Sequence, residues 1–158
     1  MRNNFEVSTA ASTTGLGNSQ PGRFSWRSAI LGAAIGIAGP AYFGTLFGNL
    51  TLRLLLSQGN SIQEAYAYLC RYSFTLPVVV NLAADLCFAI ACGAVSVAYG
   101  RGAVISQGVA AGLFSVSFPI VMFLSPTDAA MPFLFQAISL AVPVFGSVVG
   151  AYAYARKT

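Results

Sequence analysis

The sequence contains no histidine and only four acidic residues, Glu6, Glu64, Asp85 and Asp128, which are scattered along the chain. A zinc, iron or two-metal site needs several nitrogen, sulfur or carboxylate ligands close together, so no metal is expected. The single lysine, Lys157, is next to the C-terminus, and no base is placed to activate a nucleophile. The sequence therefore predicts no enzymatic activity and no bound cofactor.

Charge is scarce throughout the chain: 8% of residues are charged and 56% are hydrophobic, whereas about a quarter of a soluble domain is charged. Residues 28–52, 102–127 and 129–155 contain no charged residue, and residues 72–100 contain only Asp85. Each stretch exceeds the roughly 20 residues that a helix needs to span hydrocarbon. The sequence predicts an all-α, multi-pass membrane protein with about four transmembrane helices in a small bundle.

Two regions differ in composition. Residues 1–24 are rich in Ser, Thr, Asn and Gly and are expected to form a disordered polar tail, whereas residues 25–158 form the transmembrane domain. A cleaved signal peptide is the alternative for the first apolar run, but that run is longer than a signal core. The four spans are predicted at about 28–50, 74–99, 103–124 and 126–155.

The connection between spans 1 and 2, residues 51–73, is predicted to be a short amphipathic helical connection made of two pieces. Gly59 supplies a helix stop, and Ser61-Ile62-Gln63-Glu64 fits a capping box that begins a second piece. Apolar and aromatic residues share one face of that piece, which suits a helix at the lipid headgroups. The alternative is that both pieces lengthen spans 1 and 2 beyond the bilayer.

Basic residues indicate the orientation, because short loops rich in Lys and Arg stay on the cytoplasmic side of a membrane. With both termini cytoplasmic, six basic residues lie inside and two outside, namely Arg2, Arg23, Arg27, Arg101, Arg156 and Lys157 against Arg53 and Arg71. The expected location is a plasma membrane, of the bacterial inner-membrane type. This distribution also accounts for the sequence pI of 9.2, so no nucleic-acid partner is expected.

Glycines recur at four-residue spacing in three of the predicted spans. Such spacing places small residues on one helix face, where backbones can approach closely and gain van der Waals contact. The candidate packing positions are Gly32, Gly36, Gly108, Gly112, Gly146 and Gly150, and Gly44 and Gly48 repeat the spacing in span 1. Packing within one chain is favoured over self-association. Besides the lipid bilayer, a homo-oligomer or a membrane-protein partner stays open.

A polar stripe runs along span 2. Taking 100° per residue, Asn81, Asp85, Cys92, Ser96 and Tyr99 fall within about 60° of one another. A charged carboxylate near mid-span is costly, so Asp85 is expected to face protein or water and to be protonated. The candidate intramembrane polar site consists of Asn81, Asp85, Cys92, Ser96 and Gln136. Asn49, Ser106 and Gln107 are further candidate partners of Asp85.

Two functions are compatible with this pattern. The missing catalytic chemistry favours a non-enzymatic accessory or scaffolding component, with a protonated Asp85 that holds two helices together by hydrogen bonds. The alternative is a small oligomeric transporter or proton-coupled permease that uses the stripe around Asp85, since an intramembrane acid is a functional site by default. A second acidic or basic residue away from the span ends would favour transport, and the sequence has none there.

Overall fold

The computed structural model describes residues 24–69, 75–100, 103–124 and 132–157. Within these ranges the chain forms helices and no strand; the helices are α1 (Trp26–Ser57), α2 (Ile62–Leu69), α3 (Leu76–Ala98), α4 (Val104–Leu124) and α5 (Phe133–Ala155). All but α2 are long and apolar enough to cross a membrane. The predicted all-α fold with four such helices and a short helical connection is confirmed. The predicted tail lies outside the described residues, apart from Phe24.

Helix α1 is longer than the predicted first span. Ser25 caps it, since its Oγ accepts a hydrogen bond from the Ser28 backbone N–H at 3.5 Å. The helix continues through Pro40 to Ser57, and its 32 residues extend for about 48 Å, against about 30 Å of hydrocarbon. It stops before Gly59, whose φ of 90° is strained for residues other than glycine. The first predicted connecting piece is therefore the end of α1.

The second connecting piece is a separate helix, α2, which contacts α1. It begins with the predicted capping box: the Ser61 backbone N–H donates to Glu64 Oε2 at 2.9 Å, and the Glu64 N–H donates to Ser61 Oγ at 3.3 Å. The bond from the Ser61 backbone N–H, and then the bond from the Ser61 hydroxyl, which donates to Glu64 Oε2 at 2.8 Å, lower the pKa of the Glu64 carboxyl. A lowered pKa means that the box stabilises α2 at neutral pH and that this contribution is lost as the pH falls.

Helix α5 begins later than the predicted residue 126. Pro132 has an extended backbone, with φ −56° and ψ 143°, and its carbonyl accepts the Phe135 N–H at 2.9 Å. The helix therefore begins at Phe133, because the residue before it is not helical. The predicted cap around Ser125 and Pro126 lies in residues 125–131, outside the described residues.

The four long helices form a ring in the order α1, α3, α5, α4, and α3 also contacts α4 across it. Small side chains fill the interior: Ala29, Ala111 and Ala151 are fully buried, as are Ser96 and Ser147. Large apolar side chains point outward instead, including Ile105, Leu113, Phe133 and Phe145. An apolar exterior around a core of small residues is how helices pack when lipid surrounds them. The architecture suggests a membrane protein.

Candidate functional site

A cavity of about 260 Å³ lies between the four long helices, and each of them contributes to its wall. Helix α3 supplies Asp85, and the other three helices each supply a proline, Pro40 from α1, Pro119 from α4 and Pro143 from α5. At about 1.5 Å per residue, these four residues lie about 18 to 23 Å from the ends at Trp26, Ala98, Val104 and Ala155. Asp85 and the three prolines therefore lie at about the same depth in the bundle.

The three prolines leave backbone acceptors beside the cavity. Proline has no N–H, so the carbonyl four residues earlier loses its helical hydrogen-bond donor. The residues at that spacing are Gly36, Ser115 and Ser139, and all three line the same cavity as their prolines. Exposed backbone acceptors at membrane depth are tolerated where they line a cavity. The cavity thus brings together one carboxyl group and three residues whose backbone carbonyls lack the usual helical donor.

Asp85 is the one titratable side chain among the described residues that line the cavity. It is partly buried, and among the described residues no hydrogen-bond donor or basic side chain contacts its carboxyl group. A carboxyl group in such surroundings is costly to ionise unless a cation neutralises its charge. The arrangement suits the binding of positive charge.

The part of the bundle between the cavity and the end where α1 begins and α5 ends, here called the packed half, is closed by glycine contacts. A Cβ on Gly93 would collide with the Ser147 carbonyl, and one on Gly150 would collide with the Ile90 carbonyl, so α3 and α5 touch backbone to backbone. Ser147 also links α5 to α4, since its Oγ donates to the Gly108 carbonyl at 2.7 Å. The cavity has no opening through such close contacts in this conformation.

The candidate packing glycines all lie against other helices. A Cβ on any of Gly32, Gly36, Gly108, Gly112, Gly146 or Gly150 would lie closer than van der Waals contact to another helix. Gly44 and Gly48 differ, because a Cβ on either would meet nothing within 4 Å. The same spacing therefore marks interior contacts in most of the bundle and an open surface in the second half of α1.

The predicted polar stripe divides into two parts. Cys92 and Ser96 are fully buried in the packed half, where Cys92 Sγ lies 3.7 Å from Ser115 Oγ and Ser96 Oγ donates to the Gly93 carbonyl at 2.8 Å. Asp85 lines the cavity, whereas Asn81, one turn earlier on α3, does not, and its buried Oδ1 has no hydrogen-bond partner among the described residues. Only the Asp85 part of the stripe faces open space within the bundle.

The other candidate partners lie elsewhere. Gln136 is partly buried on α5 but does not line the cavity. Asn49 and Ser106 are exposed and bond to carbonyls of their own segments. Gln107 is fully buried near the end of the bundle where α1 begins, and its Nε2 donates to Ser28 Oγ at 3.0 Å.

The sequence did not identify the residues that share the cavity with Asp85. These are Ser115 and Ser139, together with the prolines that follow them. The signal was present as a small residue four positions before each proline, Gly36 before Pro40, Ser115 before Pro119 and Ser139 before Pro143. Comparison of the chain with protein-family models, curated proteins and solved structures finds no match. The function must therefore be argued from the cavity.

Proposed function

We propose that this chain is a small membrane transporter that binds a cation at Asp85 and exchanges it for a proton. The observation that carries this proposal is the cavity, because Asp85 lines it together with residues of three other helices whose carbonyls lack the usual helical donor. A hydrogen-bonding strut between helices would instead be expected to contact a donor or acceptor on a neighbour. Asp85 contacts no such group among the described residues.

The two halves of the bundle support a transport cycle. The packed half closes the cavity toward the end where α1 begins and α5 ends, so in the proposed cycle the solute enters from the opposite end. Release on the other side requires the glycine-packed contacts between α3 and α5 to separate. Pro119 and Pro143 lack a helical hydrogen bond at the depth of the cavity, and a helix bends most readily at such a position.

An accessory or scaffolding role is the second candidate, and the surface of α1 is where a partner would pack. In the half of α1 that follows Pro40, Tyr42, Leu46, Leu50 and Leu54 are all exposed, and Gly44 and Gly48 lie beside open space. A second copy, or another membrane protein, could pack there. An oligomer is also compatible with the transporter, so this surface does not decide between the two functions.

Uptake into reconstituted vesicles tests the transporter. Wild-type protein and Asp85→Asn are reconstituted into vesicles with an imposed pH gradient, and uptake of radiolabelled sodium, rubidium and tetraethylammonium is measured. Asparagine keeps the size and hydrogen bonding of the side chain but cannot carry a charge or exchange a proton. We expect uptake of at least one cation by the wild type and none above empty vesicles by Asp85→Asn.

One control and one contrary outcome make the result decisive. Thermal unfolding in detergent should give similar midpoints for both proteins, because the amide fits the same space. If the wild type takes up none of the three cations and causes no change in internal pH, the transporter proposal is wrong and the accessory role takes its place.

The proposed orientation places both termini in the cytoplasm of a bacterial-type plasma membrane. In a variant whose native cysteines are replaced, a cysteine at Asn60 should react with an impermeant thiol reagent on intact cells. A cysteine at Thr158 should react only after the cells are opened. The six-to-two distribution of basic residues is the reason. If the cysteine at Thr158 is labelled on intact cells, the orientation is opposite to the one proposed.

A further inference from the structure

The cavity is large for the single charge that it contains. Its volume of about 260 Å³ is many times the roughly 10 to 15 Å³ that a single water molecule needs. A bare sodium or potassium ion would leave most of that space to water, and each water needs two to four polar partners. The wall supplies few of them, because Leu82, Phe118, Phe123 and Val142 contribute apolar surface. A cation with an apolar body would fill the space without that cost.

The polar groups around the cavity further restrict the class of cation. One carboxyl group balances one positive charge, whereas calcium and magnesium sites use more oxygen ligands, commonly including several carboxylates. No group of three or more His, Cys, Asp or Glu side chains suited to a metal occurs among the described residues. The carbonyls of Gly36, Ser115 and Ser139 are acceptors, and an ammonium group with N–H bonds donates to such acceptors.

We infer that the cavity binds a small lipophilic organic ammonium ion, with its N–H groups toward Asp85 and its apolar body between the walls from α1, α4 and α5. This inference rests on the proposed function for its role in transport, but binding can be measured separately. The aromatic surfaces of Phe118 and Phe123 add attraction for a cation. An apolar cavity of about 150 Å³ is enough to bind benzene, so one of about 260 Å³ has room for a phenyl ring with a short ammonium side chain.

Binding of two molecules of equal size tests the inference. Phenethylamine is charged at neutral pH and phenethyl alcohol is neutral, and each has the same phenethyl body. Calorimetric titration of the purified full-length protein in detergent is compared with titration of Asp85→Asn, which corrects for partition into the micelles. We expect the amine to bind the wild type at least about tenfold more tightly than the alcohol, which corresponds to 1.4 kcal/mol. The difference should disappear in Asp85→Asn.

A second comparison tests the carbonyl acceptors. Phenyltrimethylammonium has the charge and a similar size but no N–H bond, so it should bind more weakly than phenethylamine. In Pro143→Ala, a new N–H can bond to the Ser139 carbonyl, and the preference for phenethylamine should decrease. Equal binding of the two cations by the wild type would overturn the assignment of the carbonyls as ligands.

The outcomes separate this inference from the transporter proposal. If sodium or rubidium shows Asp85-dependent uptake and phenethylamine does not bind, the inference is wrong and the transporter stands. If phenethylamine binds through Asp85 but no cation crosses the vesicle membrane, the cavity is a binding site and the transporter is wrong. Equal affinity for phenethylamine and phenethyl alcohol would show that charge has no part in recognition, which contradicts the inference.

Discussion

Alanine in place of Gly93 or Gly150 is expected to destabilise the folded bundle by about 3 kcal/mol or more, at the upper end of overpacking effects. The added methyl group would overlap a backbone carbonyl, of Ser147 in one case and of Ile90 in the other. A backbone cannot turn aside as a flexible side chain can, so α3 and α5 would have to separate. The free energy of unfolding, measured in mixed detergent micelles, gives the size of the effect.

The same substitution at Gly44 and Gly48 is the matched control. A methyl group there meets nothing within 4 Å, and alanine favours a helix over glycine by about 0.5 to 1 kcal/mol. We expect these two variants to be as stable as the wild type or slightly more stable. Equal destabilisation at all four positions would show that glycine contributes through something other than contact between helices. A loss at Gly44 and Gly48 alone would indicate that a second copy packs on that face.

Phenylalanine in place of Val142 is expected to abolish Asp85-dependent binding and uptake, with a loss of at least about tenfold in affinity. Val142 lines the cavity, and a phenyl ring at this position would occupy the space assigned to the solute. The folded bundle should not lose stability, because the ring enters existing space instead of a close-packed core. Radiolabelled cation uptake and calorimetric titration with phenethylamine measure the two effects on function.

Val149→Phe is the control for that variant, since it makes the same change on the same helix. Val149 is exposed on the outside of α5, where a larger apolar side chain contacts lipid. We expect its uptake and unfolding to match the wild type. If Val142→Phe retains full uptake, the solute does not pass through this cavity, and the site must be sought elsewhere on the bundle.

The contrast between Gly48 and Gly150 shows why the function depends on the arrangement of the helices. Both glycines belong to pairs with the same spacing, yet one lies beside open space and the other against a carbonyl. Spacing along a helix tells which residues share a face. It does not tell what lies opposite that face. The same limit applies to the polar stripe, where Cys92 and Asp85 share a side of α3 but only Asp85 borders the cavity.

The elements themselves could be predicted from the amino-acid sequence, because length, apolar composition and capping act within a single segment. The four long helices, the stop at Gly59 and the capping box at Ser61 are properties of this kind. The continuation of α1 to Ser57 and the start of α5 at Phe133 were harder, since a helix end depends on competition between neighbouring caps.

The tertiary structure alone decided where Asp85 and the three prolines meet. Pro40, Asp85, Pro119 and Pro143 are far apart in the sequence, and each lies on a different helix. Their common depth follows from the lengths and alternating directions of four separate helices. Their common cavity follows from the way small residues pack in the packed half of the bundle. Local sequence rules describe one helix at a time. Contact between helices depends on how the surfaces of different helices fit together, and this cannot be derived from any one segment.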